Sequence, residues 1–323
     1  MDIDKKGIFV ISLDFELYWG VSESRKLSDY KENLVNVPKV IKKLLSLFKQ
    51  YEIHATWATV GFLFHKNKEE MGSLVEPKDR PNYSNANLSN YSIIKNIGNN
   101  ELEDPFHYAS SIINEIKAAS YQEIATHTYS HYYCLEQGQN SYNFEMDLKA
   151  AITLGKKYGV EFSSIIFPRN QYTEDVLQIC HSNGIVSYRG TEEHWIYATR
   201  SRRDETTVRR ILRLIDAYFN ITPKNTFKIK NDRGKLVNIP SSRFLRPYSI
   251  NFSFIESIRL NRIKREMDLA AQHGEVYHLW WHPHNFGKNM DENINFLKGI
   301  LDHYAHLNHS NKMISKNMKE ITE

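Results

Sequence analysis

Two histidines four residues apart close the stretch Glu123-Ile124-Ala125-Thr126-His127-Thr128-Tyr129-Ser130-His131. The apolar run at 124–126 predicts the end of a buried strand. If the chain continues as a helix, both imidazoles lie on one face of it, one turn apart. Two imidazoles at that spacing can bind one metal ion. A chance pair without any ligand is the alternative, so the hypothesis needs support from elsewhere in the chain.

A second polar pair follows the first strand of the chain. The nearly continuous apolar run at 8–13 predicts a buried parallel strand, and Asp14 and Glu16 come directly after it. Because side chains alternate along a strand, the two carboxylates point the same way. Buried acids are costly unless they are paired or bind a cation, although a solvated strand-end turn is the alternative. Trp19 follows and is predicted to line a cleft.

Strand and helix patterns alternate along most of the chain and predict the fold class. Pro38 begins an amphipathic helix, residues 53–61 form the next strand, and similar units recur up to a last strand at 275–281 and a final helix. His54 lies at a strand start, where a structural role is expected. The pattern predicts an irregular parallel (β/α) barrel of about seven strands, with an open doubly wound sheet as the alternative. No glycine-rich nucleotide loop follows the first strand, which disfavours a dinucleotide fold.

The domain prediction is one barrel at 1–310, interrupted by a loop region at about 66–105 and followed by a frayed polar tail at 311–323. No apolar run reaches the roughly 18 residues of a membrane span, and the polar N-terminus carries no secretory signal. Two cysteines form no disulfide framework, so a cytoplasmic location is expected. A net charge of +4 gives no case for nucleic-acid binding.

Polar side chains stand at several other predicted strand ends. In a parallel barrel these ends meet on one face, where catalytic sites are built. An arginine-rich segment at 200–213 could bind a phosphate or diphosphate group, or could be the solvated face of a helix. Acids, a histidine pair and a further histidine on one face predict a metallohydrolase site. Its strand-end groups are Asp14 and Glu16, His127 and His131, Arg169 and Asn170, Arg189, and His282 and His284.

These motifs resemble the polysaccharide deacetylases, the NodB-homology group of carbohydrate esterase family four. That group has an acidic pair after its first strand, an H-[ST]-x-x-H segment, an Arg/Pro motif and a late strand that ends in His. The resemblance spans about residues 8–286. The matching segments are Ser12-Leu13-Asp14-Phe15-Glu16, His127-Thr128-Tyr129-Ser130-His131, Phe167-Pro168-Arg169-Asn170 and Trp280-Trp281-His282.

The resemblance implies a role for each matched residue. Glu16, His127 and His131 would bind the metal, Asp14 would be the general base, and His282 would be the general acid. The acidic pair departs from the family pattern, because a Phe separates the two acids and the second is Glu; this resembles a divergent branch.

Two further roles follow less closely from the motifs. Arg169 would orient Asp14, although the order Pro-Arg differs from the family's Arg-x-Pro. Asp216 is the candidate partner of the catalytic histidine. The residues expected to contact substrate or the oxyanion are Trp19, Tyr132 through its backbone N–H, Asn170, Arg189 and His284, which is also a rival general acid.

The implied activity is removal of an N-acetyl group from an acetamido sugar, with one divalent metal ion, zinc being expected. The expected substrate is an N-acetylated sugar or glycan precursor, on a nucleotide or lipid carrier or in a surface polysaccharide. A homo-oligomer is left open. The alternatives are a related metal-dependent hydrolase of a cyclic amide or ureide, and a non-catalytic carbohydrate-binding relative.

Overall fold

Nine strands form one sheet in the computed structural model, which describes residues 6–201, 204–222, 224–230 and 234–323. Within this described part no helix is long and apolar enough to cross a membrane. The strands are β1 (Gly7–Phe15), β2 (Ala55–Thr59), β3 (Gln122–Thr126), β4 (Ser164–Ile165), β5 (Ser187–Tyr188), β6 (Val237–Asn238), β7 (Arg243–Phe244), β8 (Val276–Trp281) and β9 (Met313–Ser315).

Nine α-helices join or flank these strands within the described residues. Most of them connect one strand to the next, which is the arrangement that the alternating sequence pattern predicts. They are α1 (Leu27–Val35), α2 (Val37–Gln50), α3 (Ser110–Ala118), α4 (Ser141–Lys157), α5 (Glu174–Ser182), α6 (Thr207–Tyr218), α7 (Glu256–His273), α8 (Met290–His309) and α9 (Met318–Thr322).

Strand β1 lies within the sheet and not at an edge, because its apolar run can be buried on both faces. It pairs in parallel with β2 on one side and with β8 on the other. The strand order is β6-β5-β4-β3-β2-β1-β8-β7, and every pair is parallel. Parallel strands put their carboxyl ends at one edge, so the predicted strand-end residues share that edge.

The sheet closes through the short segment at 237–244. The Ser241 N–H donates to the carbonyl of Gly190, just after β5, whereas the Ser242 N–H donates to the carbonyl of His278 in β8. Two successive residues thus connect opposite edges of the sheet, and β6 and β7 occupy one position in the ring. The predicted irregular (β/α) barrel of about seven strands is therefore confirmed.

Helix α2 shows how the sequence pattern produces this packing. Pro38 lies in its first turn, as predicted, and Val40, Ile41, Leu44 and Phe48 are fully buried against the sheet. Burying side chains of this size stabilises the fold by about 1.5–3 kcal/mol each. The predicted structural role of His54 is also met, since its Nδ1 lies 2.7 Å from the carboxylate of Glu320 at the amino-terminal side of the barrel.

The predicted loop region at 66–105 contains short 3-10 helices and buries Met71, Tyr83 and Leu88. The prediction of a frayed tail needs correction. The tail at 311–323 is ordered, because β9 pairs with β1 and Met318 is buried. The tail is polar in overall composition, but its two methionines, Met313 and Met318, are fully buried and hold it against the sheet.

Candidate active site

The two strand-end acids lie in the interior of the molecule. Asp14 is the penultimate residue of β1, and Glu16 directly precedes a short 3-10 helix at Leu17–Gly20. Their exposed fractions are 3% and 4%, respectively. Buried carboxylates need partners, and each of these acids has its own set, which excludes the alternative of a solvated turn.

Asp14 forms a two-pronged ion pair with Arg189, which follows β5. Nη1 of Arg189 donates to Oδ1 over 2.7 Å and Nη2 donates to Oδ2 over 2.8 Å. The remaining guanidinium N–H groups donate to Ser12 Oγ and to the side-chain oxygen of Asn170. The fully buried Arg189 thus uses all five of its donors, and its guanidinium carbon lies 4.0 Å from the ring centroid of Trp280.

This ion pair corrects the prediction for Arg169. Burial by itself would raise the pKa of Asp14, but the Arg189 guanidinium, together with His127 and His282, holds that pKa below its ordinary value. Arg189 therefore positions Asp14 and keeps it ionised, rather than facing substrate as predicted. Asn170 in turn holds Arg189.

Arg169 itself points to a different group of side chains. Its guanidinium donates to the carboxylates of Glu23 and Glu136, and it stacks over the ring of Tyr133 at 4.3 Å. Arg169 has a positive φ of 54°, within a tight turn after β4. Arg169, in the motif that resembles the family's Arg/Pro segment, therefore binds acidic side chains near the site and does not contact Asp14, the candidate base.

The histidine segment is a turn and not the helix considered from its spacing. Two of its residues, Thr128 and His131, have positive φ values of 64° and 63°. The buried carboxylate of Asp147 in α4 accepts the backbone N–H groups of Tyr129, over 2.7 Å, and Ser130, over 3.1 Å, together with the Ser130 hydroxyl. These bonds fold the segment so that both imidazoles face β1.

The Tyr132 backbone N–H is already engaged within the same turn. It donates to Thr128 Oγ1 over 2.7 Å, and the Tyr132 side chain is buried. The predicted oxyanion contact of Tyr132 is therefore not available in this structure, because the turn uses that donor to close itself.

Glu16, His127 and His131 form the candidate metal centre. One nitrogen or oxygen from each lies within 4.8 Å of the others, and all three residues are buried. Glu16 Oε2 lies 3.4 Å from His127 Nε2 and 3.0 Å from His131 Nε2. Burial would raise the pKa of Glu16, but the imidazoles of His282, His127 and His131 hold it well below its ordinary value.

The donor set fits a divalent ion. His127 Nδ1 lies 2.7 Å from the carbonyl oxygen of Ile166, which keeps the proton on Nδ1 and leaves Nε2 free to ligate. Burial lowers the pKa of His131 to about 4, so its imidazole is neutral near pH 7, as a ligand must be. Two imidazoles and one carboxylate leave further coordination positions for water or substrate.

His282 follows β8 and completes the group. Its Nε2 lies 3.8 Å from Asp14 Oδ2 and 3.5 Å from Glu16 Oε1, and 23% of its side chain is exposed. His284 stacks on it, with ring centroids 5.0 Å apart, but is buried. Burial and the neighbouring His282 lower the pKa of His284 to about 3. Of the two candidates for general acid, His282 is the one that solvent and substrate can reach.

A buried histidine that the sequence analysis missed supports Arg189. His278 Nδ1 lies 3.2 Å from the carbonyls of Ile239 and Pro240, so this nitrogen carries the proton. Its Nε2 therefore accepts from the Ser12 hydroxyl over 2.8 Å, while Ser12 accepts from Arg189. The available signal was the alternation that puts positions 278 and 280 on one face of β8, in step with His282 directly after the strand.

Two other predicted site residues are structural. Trp19 is fully buried, and its indole N–H donates to the carbonyl of His107 over 2.9 Å, so it cannot line a cleft. Asp216 is buried in α6, where Arg243 and Arg262 lie 3.5 and 3.2 Å from its carboxylate. It therefore does not serve as the partner of a catalytic histidine.

A cleft of about 650 Å³ opens beside His282. Arg169, Asn170 and Trp280 line it together with part of the arginine-rich segment at 200–213. In that segment Arg200, Arg210 and Arg213 face the cleft, and Arg209 is buried. Arg202 and Arg203 lie outside the described residues.

A parallel barrel with a Glu/His/His cluster, an ion-paired carboxylate and a histidine at its carboxyl edge defines the NodB-like class of (β/α) barrels. Residues 29–188 match the family model named polysaccharide deacetylase, which confirms the family indicated by the sequence motifs. The matched segment contains the two histidines, whereas Asp14, Glu16 and His282 lie outside it and are brought to the site by β1 and β8.

Solved structures share the fold. A candidate polysaccharide deacetylase from Mycobacterium smegmatis has a TM-score of 0.61 at 13% identity, covering 100% of this chain and 91% of that one. A candidate polysaccharide deacetylase from Pseudomonas aeruginosa PAO1 has a TM-score of 0.55 at 11% identity, covering 98% and 88%. Puue allantoinase also has a TM-score of 0.55 at 11% identity, covering 99% and 90%. No curated protein matches the sequence.

Proposed function

We propose that the protein is a metal-dependent hydrolase that removes the acetyl group from an acetamido sugar in a polysaccharide or a glycan precursor. The observation that carries the proposal is the Glu16, His127 and His131 cluster beside the ion-paired Asp14. The family match supports the class of reaction, hydrolysis of an amide C–N bond. A cytoplasmic location and self-association remain predictions from the sequence.

Glu16, His127 and His131 would hold one divalent ion, and zinc is the expected metal because it accepts nitrogen and carboxylate ligands. When bound, such an ion lowers the pKa of water and polarises a carbonyl group. Asp14 would take the proton of the attacking water, since Arg189 keeps its carboxyl group ionised. His282 Nε2 lies 3.8 Å from Asp14 Oδ2 and 3.5 Å from Glu16 Oε1, which supports the action of base, metal ligand and acid on one acetamide.

His282 would donate a proton to the amide nitrogen as the C–N bond breaks, so that acetate and a free sugar amine leave. Its partial exposure to the cleft supports this role, and the burial of His284 disfavours the rival. Proton transfer of this kind contributes typically about 10²–10⁴-fold to the rate. His282→Ala is therefore expected to lose about that factor, and His284→Ala much less.

The first test measures the metal content of protein purified without added metal, beside the double variant His127→Ala/His131→Ala. About one divalent ion per chain, absent from the double variant, is the expected result. Acetate release from N-acetylated sugars is then measured for wild type and Asp14→Asn. Asp14→Asn should retain metal and lose at least about 10²-fold in rate. Near-full turnover by this variant would refute the base assignment.

The same assay separates the alternatives. The likeness to an allantoinase concerns the fold, so allantoin is included as a cyclic ureide substrate. Turnover of allantoin without acetate release from any sugar would replace the proposed function with the ureide alternative. A wild-type protein that takes up no metal on titration would leave the non-catalytic carbohydrate-binding relative as the better account.

A further inference from the structure

The cleft beside His282 has a strong excess of positive charge. Among the residues that the structure describes, seven arginines and three glutamates line it, and no aspartate does. A cleft built for neutral sugar rings alone has no electrostatic need for so many guanidinium groups, whereas arginines favour oxyanions, to which they can donate two parallel hydrogen bonds.

Some of these arginines are neutralised by protein carboxylates. Arg169 pairs with acidic residues of the cleft wall, as described above. Arg213 donates to Glu205 over 2.8 Å, and Arg243 donates to Glu266 over 2.8 Å. These pairs hold the walls in place, so their charges are already satisfied.

Four other arginines lining the cleft have no carboxylate partner among the described residues: Arg25, Arg200, Arg210 and Arg246. Arg200 and Arg210 are exposed, and Arg246 is half-buried. Burial lowers the pKa of Arg246, and the nearby positive charges of Arg213 and Arg259 act in the same direction. A guanidinium among like charges and without a carboxylate is stabilised by any anion that enters the cleft.

Helix α6 is oriented so that it contributes charge to this part of the molecule. It buries Arg209 and Asp216, whereas Val208, Ile211 and Ile215 are exposed. Soluble helices ordinarily bury their apolar stripe and expose their charges. A segment that departs from this pattern is most often found at a functional site, and here it supplies Arg210 and Arg213 to the cleft.

We propose that the cleft binds a phosphate or diphosphate group that is attached to the acetamido sugar, with Arg246, Arg210 and Arg200 as its ligands. This inference rests on the proposed deacetylation for the identity of the sugar, because His282, the proposed general acid, lines the same cleft. A single sugar carboxylate would neutralise one of these three ligands, whereas a diphosphate group carries enough charge and enough acceptor oxygens for all three. The carrier beyond the phosphate is either a nucleoside or a lipid.

The kinetic test compares three substrates by acetate release: UDP-N-acetylglucosamine, N-acetylglucosaminyl diphosphate on a short lipid, and the neutral trimer of N-acetylglucosamine. At least one phosphorylated substrate should have a kcat/KM about 10-fold or more above that of the trimer. Arg246→Ala should reduce this preference about 10-fold, since charge-assisted hydrogen bonds to a phosphate are lost. Which of the two phosphorylated substrates is preferred identifies the carrier.

A matched control is Arg265→Ala, because Arg265 is exposed on α7 and does not line the cleft. Arg265→Ala should keep the preference for phosphorylated substrate. Equal kcat/KM for the neutral and phosphorylated substrates, or a preference that Arg246→Ala does not change, would overturn the inference.

A binding measurement separates this inference from the proposed function. Calorimetry is used to measure inorganic pyrophosphate binding to wild type, to His127→Ala/His131→Ala, and to that double variant with Arg246→Ala added. Binding that survives loss of the metal ligands and falls about 10-fold with Arg246→Ala supports the anion site, even if no sugar is deacetylated. Binding that disappears with the two histidines overturns it, even if neutral sugars are deacetylated.

Discussion

The ion pair between Asp14 and Arg189 offers the sharpest test of how this barrel supports its candidate site. Replacing Arg189 by Met keeps an unbranched side chain that can still pack against Trp280, but removes all five N–H donors. Asp14 then remains buried without a cation, and its pKa should rise because burial is no longer opposed by the guanidinium.

The expected loss of stability follows from the bonds that disappear. Two charge-assisted hydrogen bonds to Asp14, of 2.7 and 2.8 Å, are worth about 1.5–3 kcal/mol each. Breaking a buried ion pair by removing one partner costs about 3–5 kcal/mol in other proteins. We therefore expect Arg189→Met to lower the free energy of unfolding by about 4 kcal/mol.

The measurement is urea denaturation followed by tryptophan fluorescence at pH 7, for Arg189→Met, Asp14→Asn and the double variant. Adding Asp14→Asn to Arg189→Met should restore part of the loss, since the unpaired charge is removed together with its partner. The pKa of Asp14 should be higher in Arg189→Met, and Asp14 must be ionised to act as a base. The acidic limb of the pH–rate profile of Arg189→Met should therefore move to higher pH.

Arg265→Met serves as the control, since Arg265 is exposed and should contribute less than about 0.5 kcal/mol. A loss below about 1 kcal/mol for Arg189→Met would refute the argument. So would a double variant that is no more stable than Arg189→Met, because Asp14 would then not be the charge that Arg189 compensates.

Two further substitutions test the supports of the site. Burial lowers the pKa of His278 from 6.5 to about 3 in the folded protein. Below pH 6.5 the unfolded chain binds a proton at this histidine that the folded protein does not, so the stability that neutral His278 contributes is complete above pH 6.5 and is lost as the pH falls toward 3. The stability advantage of wild type over His278→Asn should therefore shrink by roughly 2 kcal/mol between pH 7 and pH 5 in denaturant titrations, and a constant difference would contradict this. Asp147→Asn should lower stability by about 1–3 kcal/mol and weaken metal binding in a titration, because its carboxylate accepts from Tyr129 and Ser130; unchanged metal affinity would show that the turn does not need Asp147.

The class of fold and the edge at which the site lies could be predicted from the sequence. Apolar runs at regular intervals, each followed by polar residues, are sufficient to predict parallel strands with a common functional edge. The strand-end pattern predicted that the acids and the histidines share one edge, the family resemblance assigned Glu16, His127 and His131 to the metal, and the structure brings the three together. The prediction succeeded because each of these residues lies within a few positions of the carboxyl end of a strand, and parallel strands place those ends at one edge.

Which side chains meet across the barrel could not be predicted from the sequence and became visible only in the folded chain. Arg169 and Arg189 follow neighbouring strands and are equivalent candidates in sequence, but only the guanidinium of Arg189 points to Asp14. His278 reaches Ser12 across a sequence separation of 266 residues, and burial of Trp19 depends on the region at 66–105, where Asn90 holds its carbonyl. Such contacts depend on the curvature of the closed sheet and on local turns with positive φ. Periodicity along a chain predicts on which face of a strand or helix a side chain lies. It does not predict which side chain from the opposite side of the barrel will contact it.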